Sequence, residues 1–238
     1  MGGGVIIKPV LDATETVSVA SANFLSCCTV LGMCLYSVIK TLWEGSREIR
    51  IDTSTPLALG AVVGGMAGKQ LFQLVSTACA LPETAGKIQA GLLLALTAAT
   101  FVFTLHKEHL RCRNTDSAGK CLFLGVFLGG LGAFLGIGGG PFNMAALFYF
   151  FSMKAGEAAR NSLYIILFSQ ASSLVRTLVS GSVPEVPFIL IAAMVLCGLA
   201  GSEAGGRIGK RLDERASVCF FEGAMLLVMG ICIYNMAF

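Results

Sequence analysis

The sequence predicts an all-α polytopic integral membrane protein, with seven or eight transmembrane segments in two inverted repeats and glycine-broken half-helices. Three observations carry that expectation. Hydrophobic residues make up 55% of the 238-residue chain, charged residues only 13%, and the mean hydropathy is +0.78. Soluble domains carry about 25% charged residues, and a chain this poor in charge cannot cover a water-facing surface. The apolar residues also fall into long runs, and one glycine pattern occurs twice. A cytosolic globular enzyme, a disordered chain and a nucleic-acid-binding protein are thereby excluded.

A helix needs about 20 apolar residues to cross the hydrocarbon core. The runs are Val17–Ile39, Pro56–Leu81, Ile88–Leu105, Cys121–Leu135, Pro141–Phe151, Asn161–Val179, Pro187–Ala204 and Val218–Met236. Pro141–Phe151 is too short to span and reads as a half-helix; Val5–Leu11 reads as a similar fragment. Lys69 falls inside its run and is expected to mark a helix end, with Leu71–Leu81 forming an outer loop or surface helix. No basic region followed by a clean apolar core marks a cleavable signal peptide.

Charge sets the expected orientation. Thirteen of the seventeen lysines and arginines lie in four connections: Lys40, Arg47 and Arg50; Lys107, Arg111, Arg113 and Lys120; Lys154 and Arg160; Arg207, Lys210, Arg211 and Arg215. Charge-poor connections alternate with them. The positive-inside rule places the basic connections in the cytoplasm and the C-terminus outside.

The repeat is clearest where Gly60-Ala-Val-Val-Gly64-Gly65-Met-Ala-Gly68-Lys69-Gln-Leu71 pairs with Gly201-Ser-Glu-Ala-Gly205-Gly206-Arg-Ile-Gly209-Lys210-Arg-Leu212, identical at six of twelve positions. A triple glycine precedes each copy, Gly2–Gly4 and Gly138–Gly140, and Asn23 and Asn161 each open the next apolar helix. Equivalent connections carry opposite charge: the one after the Asn23 helix has three basic residues and Ser180–Val186 has none. Two copies in opposite orientations follow, a construction common in secondary transporters. The expected units are residues 1–106 as a first, N-terminally incomplete membrane repeat, residues 107–120 as a cytoplasmic linker and residues 121–238 as the second repeat. Copy one lacks a helix ahead of its triple glycine, so either translation starts about 20 residues further upstream or this is a shortened variant.

The segment Gly136-Ile-Gly138-Gly139-Gly140-Pro141-Phe-Asn143 carries the candidate site. Glycines open the backbone and proline suits the first turn of a new helix. Free N–H groups at such a start attract anions. Unwound backbone inside a membrane is tolerated where it lines a cavity or is buried in protein; a tight turn without ligand is the alternative. Polar residues cluster in otherwise apolar helices: Asn143, Asn161, Ser162, Ser169, Gln170, Ser172 and Ser173 in copy two, and Ser18, Ser21, Asn23 and Ser26 in copy one. They suit an uncharged oxyanion shell or interhelical hydrogen bonds. The substrate-binding set is Gly138, Gly139, Gly140, Asn143, Asn161, Ser162, Gly3, Gly4 and Asn23. Lys8, beside Pro9, is positioned to add positive charge. Arg160 and Arg176 read as snorkelling residues, and Glu203 as the i,i+4 partner of Arg207.

Catalytic chemistry finds little footing. His106 and His109 stand in a basic loop without HExxH, and neither GxSxG nor GxxxxGK[ST] occurs. The nine cysteines show no metal-type spacing or disulfide framework and read as packing residues. No enzyme activity, cofactor or metal is expected.

Gly-Ile-Gly-Gly-Gly-Pro-Phe at 136–142, Ala159-Arg-Asn-Ser, and Gly205-Gly-Arg-Ile-Gly209-Lys-Arg-Leu resemble the TauE/SafE family of sulfite exporters. The opening Gly-Gly-Gly-Val-Ile-Ile-Lys-Pro-Val-Leu resembles that family's first-copy motif with its start cut away. Copy two departs from the pattern at Ala145-Ala146, where the family often has proline. The resemblance implies a multi-pass cell-membrane transporter whose partners are the lipid bilayer and a small anionic solute such as sulfite or an organosulfonate. Self-association is compatible with it; nucleic acid is not expected. An importer or channel for another solute, or a non-transporting scaffold, remain the alternatives.

Overall fold

The computed structural model describes residues 7–10, 18–44, 49–78, 82–105, 117–209 and 211–237. Among these the chain is helical: α1 (Val19–Trp43), α2 (Ile51–Ala78), α3 (Pro82–Leu105), α4 (Ala118–Leu135), α5 (Gly140–Phe151), α6 (Ala155–Val179), α7 (Phe188–Gly209) and α8 (Glu214–Ala237). Seven of them are long and apolar enough to cross a bilayer; α5, at 12 residues, is the half-helix. A further helical turn occupies residues 7–10.

Three helices, α2, α4 and α6, run side by side in the same direction and form the centre. Glycine makes this closeness attainable. A Cβ added to Gly64 would lie 2.7 Å from the Gly130 amide nitrogen, and one on Gly129 would lie 2.6 Å from the Ala61 Cα. Backbone therefore rests on backbone along α2 and α4, as small-xxx-small spacing permits in membranes. On its next face α2 meets α6, where Ser173 Oγ donates to the Gly65 carbonyl at 3.3 Å. Apolar side chains from α4, α5, α6 and α8 close the basic end around Leu147, Phe148, Ile165 and Met225.

The remaining helices pack around that centre. α1 runs opposite to α6 and alongside α7, with Thr29 and Met33 against Gly198 and Ser37 Oγ within 2.7 Å of Ser202 Oγ. α3 pairs with α8 in antiparallel sense, Gly91 lying near Met236. The corresponding helices α1 and α6, α2 and α7, and α3 and α8 thus run in opposite senses, consistent with inverted repeats.

Several boundaries differ from expectation. α2 does not end at Lys69; it continues to Ala78, because Gln70–Thr77 contains no breaker and the Lys69 ammonium rests 5.5 Å from the Phe72 ring centroid. Asn161 does not open its helix. α6 begins at Ala155, six residues earlier, with Glu157 in a first turn whose free N–H groups favour negative charge. α2 likewise starts at Ile51 and takes Pro56 inside the helix. Glu203 and Arg207 do pair, at 2.8 Å, and Glu203 also accepts from Lys40 and, at 2.7 Å, from the Tyr36 hydroxyl. The seven described cysteines form no disulfide with one another.

Candidate functional site

The chain opens where the glycines require it. α4 stops at Leu135, and Gly136, Gly138 and Gly139 take φ of 70°, 77° and 75°. That left-handed region is costly for any residue with a Cβ. The N–H groups of Ile137 and Gly138 both donate to the Gly132 carbonyl at 3.2 Å, which folds the segment back onto α4. Gly140-Pro141 then starts α5, and Asn143 N–H closes on the Gly139 carbonyl at 2.9 Å. The Gly139 and Gly140 amides donate to no backbone carbonyl among the described residues.

This break lies at mid-depth. A Cβ placed on Gly138 would sit 3.0 Å from Ile166 and 3.3 Å from both Val30 and Gln170 Nε2. Val30 and Ile166 are close to the midpoints of the 25-residue helices α1 and α6. Each of those helices is about 37 Å long at 1.5 Å per residue, so the unwound backbone is far from either face.

Polar side chains surround it. Ser26 Oγ donates to the Gly136 carbonyl at 2.9 Å, and Cys27 Sγ lies 3.6 Å from the Gln170 carbonyl. The Asn23 amide and the Lys8 stem both border Gly136, and Asn143 Oδ1 borders Gly139. Gln170 and Asn143 are each 2% exposed, yet Gln170 Nε2 and the amide oxygens of Asn23 and Asn143 have no hydrogen-bond partner. An unsatisfied buried polar group costs about 1–3 kcal/mol. Several around one opened backbone segment make a place for a polar solute.

The structure therefore gathers Gly138, Gly139, Gly140, Asn143 and Asn23. It does not bring Asn161 to them. Asn161 Oδ1 accepts from the Arg50 amide at 2.9 Å and Ser54 Oγ at 2.6 Å, holding the start of α2, while its Nδ2 donates to the Glu157 carbonyl. Ser162 is buried one turn before Ile166, on the basic side of the break. Gly3 and Gly4 lie outside the described residues. The expected substrate-binding set lacks Gln170, Ser26 and Lys8, which border the break. Their signal is helical phase: Ile166, Gln170 and Ser173 share the face of α6 turned inward, whereas Asn161 lies about 13 Å from Gln170 along the axis. Among the described residues no three His, Cys, Asp or Glu side chains cluster as metal ligands would.

A helical bundle that buries an unwound, polar-lined segment at the middle of its membrane helices is the architecture of a membrane transporter. Comparison with known proteins agrees. The chain belongs to the sulfite exporter TauE/SafE family, whose model matches residues 1–233. It is also 24% identical over 256 aligned residues to the Probable membrane transporter protein YunE of Bacillus subtilis (strain 168), across 99% of this chain and 91% of that protein. No solved structure matches it. The protein is a multi-pass membrane transporter, and its partners are the bilayer and a small solute.

Proposed function

We propose that the transported solute is a small oxyanion, sulfite or an organosulfonate, and that it is carried outward across the cell membrane. The observation that carries this reading is the set of partnerless buried groups at the glycine break. Gln170 Nε2 and the Gly139 and Gly140 amides supply uncharged donors beside the buried Lys8. Such donors hold an anion at smaller desolvation cost than a buried ion would. The Asn23 and Asn143 amides can turn either their oxygen or their NH2 group inward, which suits a partly protonated oxyanion that both donates and accepts. Gly138–Gly140 and Asn143 come from the expected second repeat and Asn23 from the first, so rocking of one against the other would open the site to alternate sides. Asn161 and Ser162 are retained as candidates on the path towards the basic side. The family is named for sulfite export, and the Bacillus relative is a probable membrane transporter.

The test is flux of radiolabelled sulfite, and separately of a sulfonate, in proteoliposomes of the purified chain. Gln170→Leu and Asn143→Ala are expected to lower flux at least about tenfold, a loss worth about 1.4 kcal/mol. Flux no greater than in empty vesicles for both solutes removes the substrate assignment. Export is supported if flux follows an outward gradient preferentially; the opposite preference reads as import.

A further inference from the structure

We propose that Lys69 of α2 and Arg176 of α6 form a cationic subsite about one and a half helical turns beyond the glycine break, through which the anion passes on the outer side. The inference deepens the reading above and rests on it for the identity of the solute. It begins with register. α2 and α6 run parallel where they touch: a Cβ on Gly65 would lie 2.6 Å from the Ser169 carbonyl, and Ser173 donates to the Gly65 carbonyl. Lys69 is four residues past Gly65, and Arg176 is four past Ser172, which also borders Gly65. Both cations therefore start from facing stripes at one level, about 6 Å beyond that contact. Gln170 borders the break and lies one and a half turns before Arg176 on the same helix.

Lys69 is not at a helix end that would explain it, whereas Arg176 lies in the last turn of α6, where the helix C-terminus favours a cation. Lys69 is about 27 Å along a 28-residue helix that continues to Ala78. It is half-buried, over the Phe72 ring. Phe72 in turn packs edge-on against Phe134, two residues before the break, with ring centroids 6.3 Å apart. Arg176 is half-buried, and its Nε is fully enclosed without a hydrogen-bond partner. The ion pairs of the described residues join Lys40, Arg50 and Arg207 to Glu157 or Glu203, at the other end of the helices. No carboxylate pairs with Lys69 or Arg176 among the described residues. Two cations set at one level of facing helices in a low-dielectric setting favour an anion between them. A singly or doubly charged oxyanion suits that setting, and a neutral or cationic solute does not.

The experiment reads local charge without requiring transport. The native cysteines are replaced, and Gln73→Cys, one turn past Lys69, is introduced as a single thiol. Its rate with a sulfonate-bearing methanethiosulfonate is compared with its rate for the trimethylammonium analogue, each normalised to a free thiol. A preference for the sulfonate reagent on the order of tenfold is expected. It should collapse to about unity in Lys69→Gln with Arg176→Gln, and Lys69→Arg with Arg176→Lys should restore it. Absence of preference in the parent, or persistence in the double glutamine variant, overturns the subsite. A charge-dependent preference in a chain that moves neither sulfite nor sulfonate retains the subsite and rejects the substrate assignment, so the two readings fail separately.

Discussion

Gly60, Gly64 and Gly68 in α2 and Gly201, Gly205 and Gly209 in α7 repeat one spacing, but they meet opposite surroundings. On α2 every one of these positions has backbone of α4 where a Cβ would go. On α7 no described residue lies within 4 Å of a Cβ added at Gly201, Gly205, Gly206 or Gly209, and among the described residues the helix has no buried one. α7 attaches to the bundle by another face, through Gly198, Ser202 and Glu203 against α1. A glycine step is thus permission for close approach rather than proof of it. α4, which covers α2, precedes the second triple glycine; the stretch at the first triple glycine lies outside the described residues.

The contrast breaks most sharply at Gly64. Gly64→Val places a branched side chain into the Val126 carbonyl and the Gly130 amide, and helix backbones cannot yield as a side chain does. The expected cost is above about 3 kcal/mol, beyond ordinary overpacking. Size-exclusion chromatography in detergent should show loss of the monodisperse peak. Gly205→Val should leave that peak and the thermal midpoint unchanged. If both variants behave alike, α2 and α4 do not meet backbone to backbone.

Asn161→Ala sharpens the contrast between packing polar groups and site polar groups. The variant removes the acceptor for Arg50 N–H and Ser54 Oγ. It is expected to destabilise the start of α2 by about 1–2 kcal/mol, the usual worth of such a cap. Sulfite KM should stay near the parent value. A raised KM with an unchanged melting point would instead return Asn161 to the binding shell.

The glycine break and the Asn161 cap show how far sequence alone reaches. The spans are legible because an apolar run of about 20 residues matches the thickness of the hydrocarbon core, and a soluble helix rarely stays apolar on all its faces for that long. The break is legible because three glycines followed by proline cannot continue a helix. Asn161 misleads because composition marks it as polar in an apolar run but does not say where along the axis it falls. Five good helix formers among the six residues before it, Ala155, Glu157, Ala158, Ala159 and Arg160, move the start of α6 to Ala155. Gln170 is visible in the polar cluster, but its role needs the neighbour across the gap: Gly138, contributed by a different element. Lys69 reads as a boundary because its charge interrupts an apolar run, and composition alone does not reveal that its ammonium rests over the Phe72 ring one turn on.

Gly198→Ala gives an intermediate case on α7 itself. Its Cβ would meet Thr29 Cγ2 at 2.8 Å and Met33 Cγ at 3.0 Å. These are side-chain atoms, and methionine repacks readily. A destabilisation of about 1 kcal/mol is expected, read as a modest fall in thermal midpoint.

The smallest effect is expected at Glu203, which joins the same two helices from their basic ends. It accepts from Lys40 and Tyr36 of α1 and from Arg207 of its own helix. Lys40 and Arg207 side chains are 35% and 76% exposed, so water and salt screen much of the attraction. Glu203→Gln keeps the shape and one acceptor oxygen while removing the charge. Thermal midpoints of parent and variant should converge as salt is raised, because the charge-dependent part of the difference is screened. A difference as large as that of Gly64→Val, or one insensitive to salt, would show that α1 and α7 are held by this carboxylate rather than by the packing around Gly198.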